Sequence, residues 1–245
     1  MLKAIFFDLD ETLCDTTGAN KKALAFMAKK ARLLFAEKIN EHAFANAYLK
    51  GIYRDLDERY AQKLLPITNE EQFRLALIQL ILSDLGITNA SINEITELQQ
   101  SFDEARAECF DFFTGIKELL IDLRAHFTII IITNGPEFSQ LAKINAVNLH
   151  EFVDHIIIGG QEKEQKPALS IFQKALTLSQ CKKDEVIHIG DSLTADIAGA
   201  NNAGITSVWV SHTNDLPDDS SIIPTHIIEN PFQIRDLIHS IHSFK

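Results

Sequence analysis

An unbroken apolar run, Ala4 to Phe7, opens the chain and stops against Asp8-Leu9-Asp10-Glu11. Such a run, without polar alternation, predicts a strand buried on both faces, as at the centre of a parallel sheet. From residue 15 to about 107 the pattern is helical instead. Residues 18–38 carry Ala23, Leu24, Met27, Ala31, Leu34 and Phe35 at helical spacing, with basic residues between them. Shorter helical runs are predicted over 41–49 and 54–65, the second ended by Pro66. Thr68-x-x-Glu71 and Ser91-x-x-Glu94 read as capping boxes. The first would open a helix through Phe73, Leu77, Leu80 and Ile81 that Gly86 stops, the second a helix through Ile95, Leu98, Phe102 and Ala105. No strand signal interrupts this stretch, so 15–107 is expected to be an all-helical insertion placed after the first strand.

From Thr114 the pattern alternates between helix and strand, which predicts an α/β fold: a parallel sheet joined by crossover helices. Helices are expected over 115–125, 138–146 and 193–202, with a last one from Pro231. Strands are expected over 127–132, 153–158, 185–189, 206–210 and 225–228. Pro167 is expected at the first position of a helix and Gly204 as a helix cap. The main domain is thus discontinuous, 1–14 with 108–245.

Composition narrows the function. Of the 245 residues 46% are hydrophobic, enough for a packed core, and the formal charge of −11 opposes general nucleic-acid binding. A small phosphorylated substrate stays compatible, because one local cation can reverse the sign inside a cleft. Cys14, Cys109 and Cys181 are odd in number and lack metal-ligand spacing, which suggests reduced packing residues. The opening apolar run is too short for a secretory segment, and no stretch is apolar enough to span a membrane. The expectation is a cytoplasmic protein with a small-molecule partner, no nucleic acid and no membrane.

Polar residues gather where the predicted strands end: Asp8 and Asp10, Thr133 and Asn134, Lys166, then Asp191 and Asp196. Ligands of open α/β sheets bind at the carboxyl ends of strands, and residues two apart on an extended strand share a face, so Asp8 and Asp10 could act on one group. Singly, each has a plain reading. Asp-Leu-Asp-Glu could be a solvated turn, Thr133-Asn134-Gly135 an ordinary turn, Lys166 a solvated charge, and Asp191 and Asp196 helix N-terminal acids. Together they fit phosphoryl transfer. Asp8 would be the nucleophile, forming an aspartyl-phosphate, and Asp10 the general acid and base. Asp8, Asp191 and the Asp10 backbone carbonyl would bind Mg2+, which prefers oxygen ligands. Thr133, Asn134 and Lys166 would bind the phosphate.

In order, Asp8-Leu9-Asp10-Glu11-Thr12, Ile132-Thr133-Asn134-Gly135, Lys166-Pro167 and Gly190-Asp191-Ser192-Leu193-Thr194-Ala195-Asp196 resemble the four motifs of the haloacid dehalogenase-like hydrolases. Glu11 stands where that family more often has glycine. The resemblance implies a Rossmann-like three-layer core, a helical cap and magnesium-dependent phosphatase chemistry. It further implies that Asp196 supports the metal waters and orients Lys166, and that Thr12 lies close behind the acid pair. The Thr-Asn-Gly form of the second motif is similar to the nucleotidase and N-acylneuraminate-9-phosphatase group. A dehalogenase or phosphonate-cleaving relative would not need Asp10. A sugar phosphomutase would share every core residue, whereas a phosphoaspartate receiver module would lack the insertion and the D-x-D, and a catalytically dead scaffold need not retain all four motifs.

Overall fold

The computed structural model describes residues 1–36, 39–212 and 221–243. The chain divides into two compact units, Met1–Thr16 with Phe110–Lys245, and Thr17–Cys109.

In the discontinuous unit the described strands form one parallel sheet. They are β1 (Ala4–Phe7), β2 (Thr128–Thr133), β3 (His155–Ile158), β4 (Val186–Gly190), β5 (Thr206–Val210) and β6 (His226–Ile228). Their order is β3-β2-β1-β4-β5-β6. β1 is central, pairing Phe7 with Ile131 on one side and with Ile189 on the other. Its continuous apolar run has a direct cause, since both faces are covered. Ala4, Phe6, Ile130 and Ile132 pack in one cluster with Ile171 and Phe172, while the alternate residues Ile5, Phe7, Ile129 and Ile131 are equally buried. The unit's helices are numbered after those of the inserted unit: α6 (Ile116–Arg124), α7 (Glu137–Ala146), α8 (Leu169–Ser179), α9 (Ala198–Ala203) and α10 (Ile234–Ser243). The result is the three-layer Rossmann-like arrangement.

Among its described residues, the regular elements of the second unit are all helices. α1 (Thr16–Phe35) begins at the last residue of the first unit and is followed by α2 (Glu41–Ile52), α3 (Glu58–Leu64), α4 (Glu70–Asp84) and α5 (Ile92–Cys109). Phe44, Tyr48, Phe73, Leu77, Leu98 and Phe102 are in its core. The Tyr48 hydroxyl donates to Gln99 Oε1 at 2.6 Å, which makes its burial affordable in hydrogen-bond terms.

Local chemistry shifted several expected boundaries. The end of the predicted 18–38 helix, Glu37 and Lys38, lies outside the described residues. Arg54 has a φ of +62° and α3 starts only at Glu58, where the Asp57 carboxylate accepts from Tyr60 N. The cap of α4 is Asn69 rather than Thr68, its side chain accepting from Gln72 N. The Ser91 and Glu94 box is present, with Ser91 N donating to Glu94 at 2.8 Å and Glu94 N to Ser91 Oγ at 3.3 Å. Pro167 follows a cis peptide bond and precedes α8, which begins at Leu169. The predicted 193–202 helix opens with a π-helical turn, Leu193–Ile197, before α9. β1 ends at Phe7, so Asp8 and Asp10 stand beyond its end instead of sharing a face of an extended strand.

The Phe102 ring meets Tyr48 edge to face at 5.1 Å and is fully buried. Phe102→Ala is expected to destabilise the chain by about 3–5 kcal/mol, measured as a lower unfolding midpoint in urea.

Candidate active site

The register of β1 sets the site. Asp8 lies one residue beyond Phe7, Thr133 two beyond Ile131 and Asp191 two beyond Ile189, so three side chains reach the same edge of the sheet. Asp8 N donates to Ile189 O at 2.9 Å, extending the ladder into the turn. The strand order reverses between β1 and β4, and there successive connections diverge and open a crevice. Glu11, in the turn after Asp10, has a φ of +56°. Glycine enters that region freely whereas another residue pays roughly 1–2 kcal/mol, a physical reason for glycine to be commoner there.

Beyond the strand ends Lys166 Nζ donates to Asp8 Oδ1 at 2.5 Å and to Asp196 Oδ1 at 2.7 Å, with the lysine side chain 2% exposed. Asp196 is held in turn. His188 Nε2 lies 2.9 Å from its Oδ1, and Ser192 N donates to its Oδ2 at 3.1 Å. The π-helical turn carries Asp196 back to the strand end, where Gly190 leaves space for it: a Cβ on Gly190 would lie 2.2 Å from Asp196 Cγ. Burial alone would raise the Asp196 carboxyl, but Lys166 and His188 outweigh it and bring the group to about 2. Burial would also discharge Lys166, yet Asp196 and Asp8 hold its ammonium well above the usual lysine range.

Thr133 and Asn134 form the next edge. The Asn134 side chain donates to Lys166 O and accepts from Lys166 N, both at 2.9 Å, so this turn fixes the lysine's backbone. The Thr133 hydroxyl is wholly buried and has no hydrogen-bond partner among the described residues. The Thr12 hydroxyl, beside the acid pair in sequence, is in the same condition.

Asp10 turns to different partners from Asp8. Lys143 Nζ donates to its Oδ1 at 2.8 Å and Oδ2 at 2.7 Å, Gln140 Nε2 to Oδ2 at 3.2 Å, and the Thr16 hydroxyl to Oδ1. Burial raises the Asp10 carboxyl, but Lys143 and these hydrogen bonds prevail and leave it below the ordinary carboxylate value.

Carboxylate oxygens of Asp8, Asp191 and Asp196 all lie within 4.8 Å of one another. Burial, aided by the Asp196 charge, raises Asp191 to about 6, and burial with the Asp196 and Asp10 charges raises Asp8 against the pull of Lys166. Carboxylates outnumber ammonium groups here, and the donors are hard oxygens, so the set fits Mg2+ on both charge and chemistry. Asp196 already accepts from Lys166, His188 and Ser192, which leaves Asp8 and Asp191 as the better ligands.

Sequence reasoning missed Thr16, Gln140, Lys143 and His188. His188 had a signal, a polar residue inside the apolar strand β4. Gln140 and Lys143 had none, because the buried face of α7 that they share with Ile144 is seen only in the structure.

The sequence matches the family model of haloacid dehalogenase-like hydrolases over residues 5–210. The chain belongs to that family, as one of its phosphatases. It is 26% identical over 241 residues to N-acylneuraminate-9-phosphatase of Rattus norvegicus, covering 98% of this chain and 95% of the relative. It is 30% identical over 224 residues to glyceraldehyde 3-phosphate phosphatase of Pyrococcus furiosus, covering 86% and 81%. Among solved structures, the magnesium-bound putative hydrolase YfnB of Bacillus subtilis shares the fold with a TM-score of 0.70 at 22% identity, over 97% of this chain and 98% of that one. Among the described residues, no helix is long and apolar enough to cross a membrane.

Gly190→Ala tests the packing behind Lys166. The added methyl must displace Asp196, and a shift of about 1 Å at a reacting group is worth roughly 10²-fold in rate. The variant is expected to stay folded, lose about 1–3 kcal/mol in denaturant unfolding and show a kcat lowered on that scale with p-nitrophenyl phosphate.

Proposed function

We propose that the chain is a magnesium-dependent phosphomonoester hydrolase working through an aspartyl-phosphate on Asp8. The observation that carries this reading is the buried Asp8 carboxylate, paired with Lys166 and within ligand reach of Asp191. Asp8, Asp191 and the Asp10 backbone carbonyl would hold the metal, which when bound offsets the charge on the phosphate oxygens. Lys166, the Thr133 hydroxyl and Asn134 supply donors to the transferring group, and the Asn134 side chain also keeps the lysine's backbone in place. Asp196 orients Lys166, and Thr12 lies behind the acid pair.

In the first step an Asp8 oxygen attacks phosphorus, the bond from phosphorus to the leaving oxygen breaks, and that oxygen takes a proton from Asp10, which must enter the step protonated, with the Lys143, Gln140 and Thr16 contacts that favour its charged form loosened. In the second, water attacks the phosphorus of the aspartyl-phosphate and loses its proton to Asp10, releasing phosphate and restoring the Asp8 carboxylate. One carboxyl group thus serves as acid and then as base, returning to its starting state after each turnover.

The substrate class we assign is a small phosphorylated metabolite, with sugar phosphates ahead of nucleoside monophosphates. Relatives named for N-acylneuraminate 9-phosphate and glyceraldehyde 3-phosphate support the first group, and the pyrimidine 5'-nucleotidase of Streptococcus pneumoniae, 26% identical over 241 residues, supports the second. The helical unit contains a cavity of about 690 Å³ whose lining mixes Asn20, Lys21, His42 and Asn46 with Leu24 and Leu49. A panel of sugar phosphates, nucleoside monophosphates and small organic phosphates, read by phosphate release, tests the assignment. Release from none of them would refute it.

Chelation with EDTA is expected to abolish activity and magnesium to restore it. Undiminished turnover of metal-free protein would remove the metal from the scheme. Asp8→Asn should lose turnover and phosphoenzyme together, because a neutral amide is a poor nucleophile. Asp10→Asn should slow turnover by about 10²- to 10⁴-fold. With p-nitrophenyl phosphate, whose leaving group needs little protonation, rapid-quench measurements should then show a burst of one p-nitrophenolate per enzyme.

A further inference from the structure

The scheme above gives Asp10 two proton transfers, and its usefulness depends on where its carboxylate points. That orientation is set from α7. Gln140 and Lys143 are three residues apart on this helix and so lie on one face, which is buried together with Ile144. Lysines are rarely buried unless paired. Lys143 has a side chain 8% exposed and brings its ammonium astride the Asp10 carboxylate, 2.8 Å from one oxygen and 2.7 Å from the other. A monodentate contact would leave the carboxylate free to turn about its Cβ–Cγ bond, whereas contact with both oxygens fixes its plane.

Gln140 connects this clamp to the phosphate-binding turn. Its Nε2 donates to Asn134 O at 2.7 Å as well as to Asp10 Oδ2 at 3.2 Å. Gly135 makes the approach possible twice over, through a φ of +118° and through its missing side chain, since a Cβ there would lie 2.8 Å from Gln140 Nε2. The turn carrying Thr133 and Asn134 therefore sets Gln140. Gln140 and Lys143, one helical turn apart, then set Asp10. With the Thr16 hydroxyl also donating to Oδ1, each Asp10 oxygen accepts two hydrogen bonds, and the carboxylate is held from several sides at once.

We propose that Lys143 is a positioning residue for Asp10, holding its charged carboxylate in register with the phosphate site between the two proton transfers. This rests on the role given to Asp10 above. Lys143 touches no reacting atom in this scheme and acts through Asp10 alone.

The test is a double-mutant cycle on the full-length protein with p-nitrophenyl phosphate, combining Asp10→Asn with Lys143→Met. Lys143→Met is expected to lower kcat by about 10- to 100-fold, the scale of a misplaced catalytic group, with KM changed less than about threefold. It should also show the burst of one p-nitrophenolate expected of Asp10→Asn, a signature that general loosening of the fold would not produce. In the Asp10→Asn background the second substitution should cost nothing further, and Lys143→Arg should recover most of the rate. A folded Lys143→Met enzyme with the wild-type kcat, or a further tenfold loss in the double variant, would overturn the proposal. Should Lys143→Met fail to fold, because it leaves a buried carboxylate unpaired, the double variant removes that charge as well, and its comparison with Asp10→Asn decides the matter. A wild-type rate in Asp10→Asn itself would refute the assigned role of Asp10, and this inference with it.

Discussion

An ammonium group buried between two carboxylates is stable only if the geometry is good and the remaining hydrogen-bonding capacity is satisfied, and Lys166 between Asp8 and Asp196 imposes that demand on its surroundings. Desolvating these charges costs several kcal/mol each, and the cost is offset only when their remaining hydrogen-bonding capacity is satisfied. The neighbouring residues follow from this requirement. Asn134 grips the lysine's backbone, His188 and Ser192 complete Asp196, and Gly190 stays bare so that Asp196 can come close. In the role proposed for Asp8, a nucleophile kept in such a frame needs little reorganisation during reaction, which is where positioned charges are worth most.

The sheet supplies the rigidity. β1 is paired along its length on both sides, and its neighbours β2 and β4 deliver Thr133 and Asp191 to the edge where Asp8 emerges. Asp8 and Asp10, two residues apart, are then separated electrostatically. Asp8 is raised by burial and by neighbouring acids, while Asp10, although also penalised by burial, is stabilised by Lys143. These surroundings by themselves favour the neutral form of Asp8 and the charged form of Asp10, and a cation bound beside Asp8 would favour its charged, nucleophilic form.

Much of this was legible in the sequence, for physical reasons that differ by residue. The apolar run Ala4–Phe7 read as a doubly covered strand, and the alternation after Thr114 as a parallel sheet with crossovers, because buried parallel strands carry apolar side chains on both faces. Asp8, Lys166, Asp191 and Asp196 were visible because charges at strand ends are conspicuous in such a pattern, and the structure brings them together. Lys143 and Gln140 were hidden because a lysine and a glutamine in an amphipathic helix look like solvent-facing residues until the helix's rotation is known. The capping errors arose from adjacent competitors: Thr68 and Asn69 both suit an N-cap, and only the backbone geometry selects Asn69. The π-helical turn has no periodicity of its own, so the sequence could not separate it from α9.

The chain leaves the catalytic unit after Cys14 and returns near Phe112, and these two passages are bonded side by side. Cys14 and Phe112 form an antiparallel bridge, Phe113 N donates to Leu13 O at 2.9 Å, and Asp15 N to Asp111 O at 3.2 Å. The exit and the entry therefore close on themselves within the catalytic unit, as the base of a loop does. Any folded segment whose ends lie one strand spacing apart could be carried there without altering the order or register of the sheet. The doorway thus uncouples the two units in construction: the sheet's order and register are closed by bonds within the first unit, whatever length of chain is hung between Cys14 and Phe112.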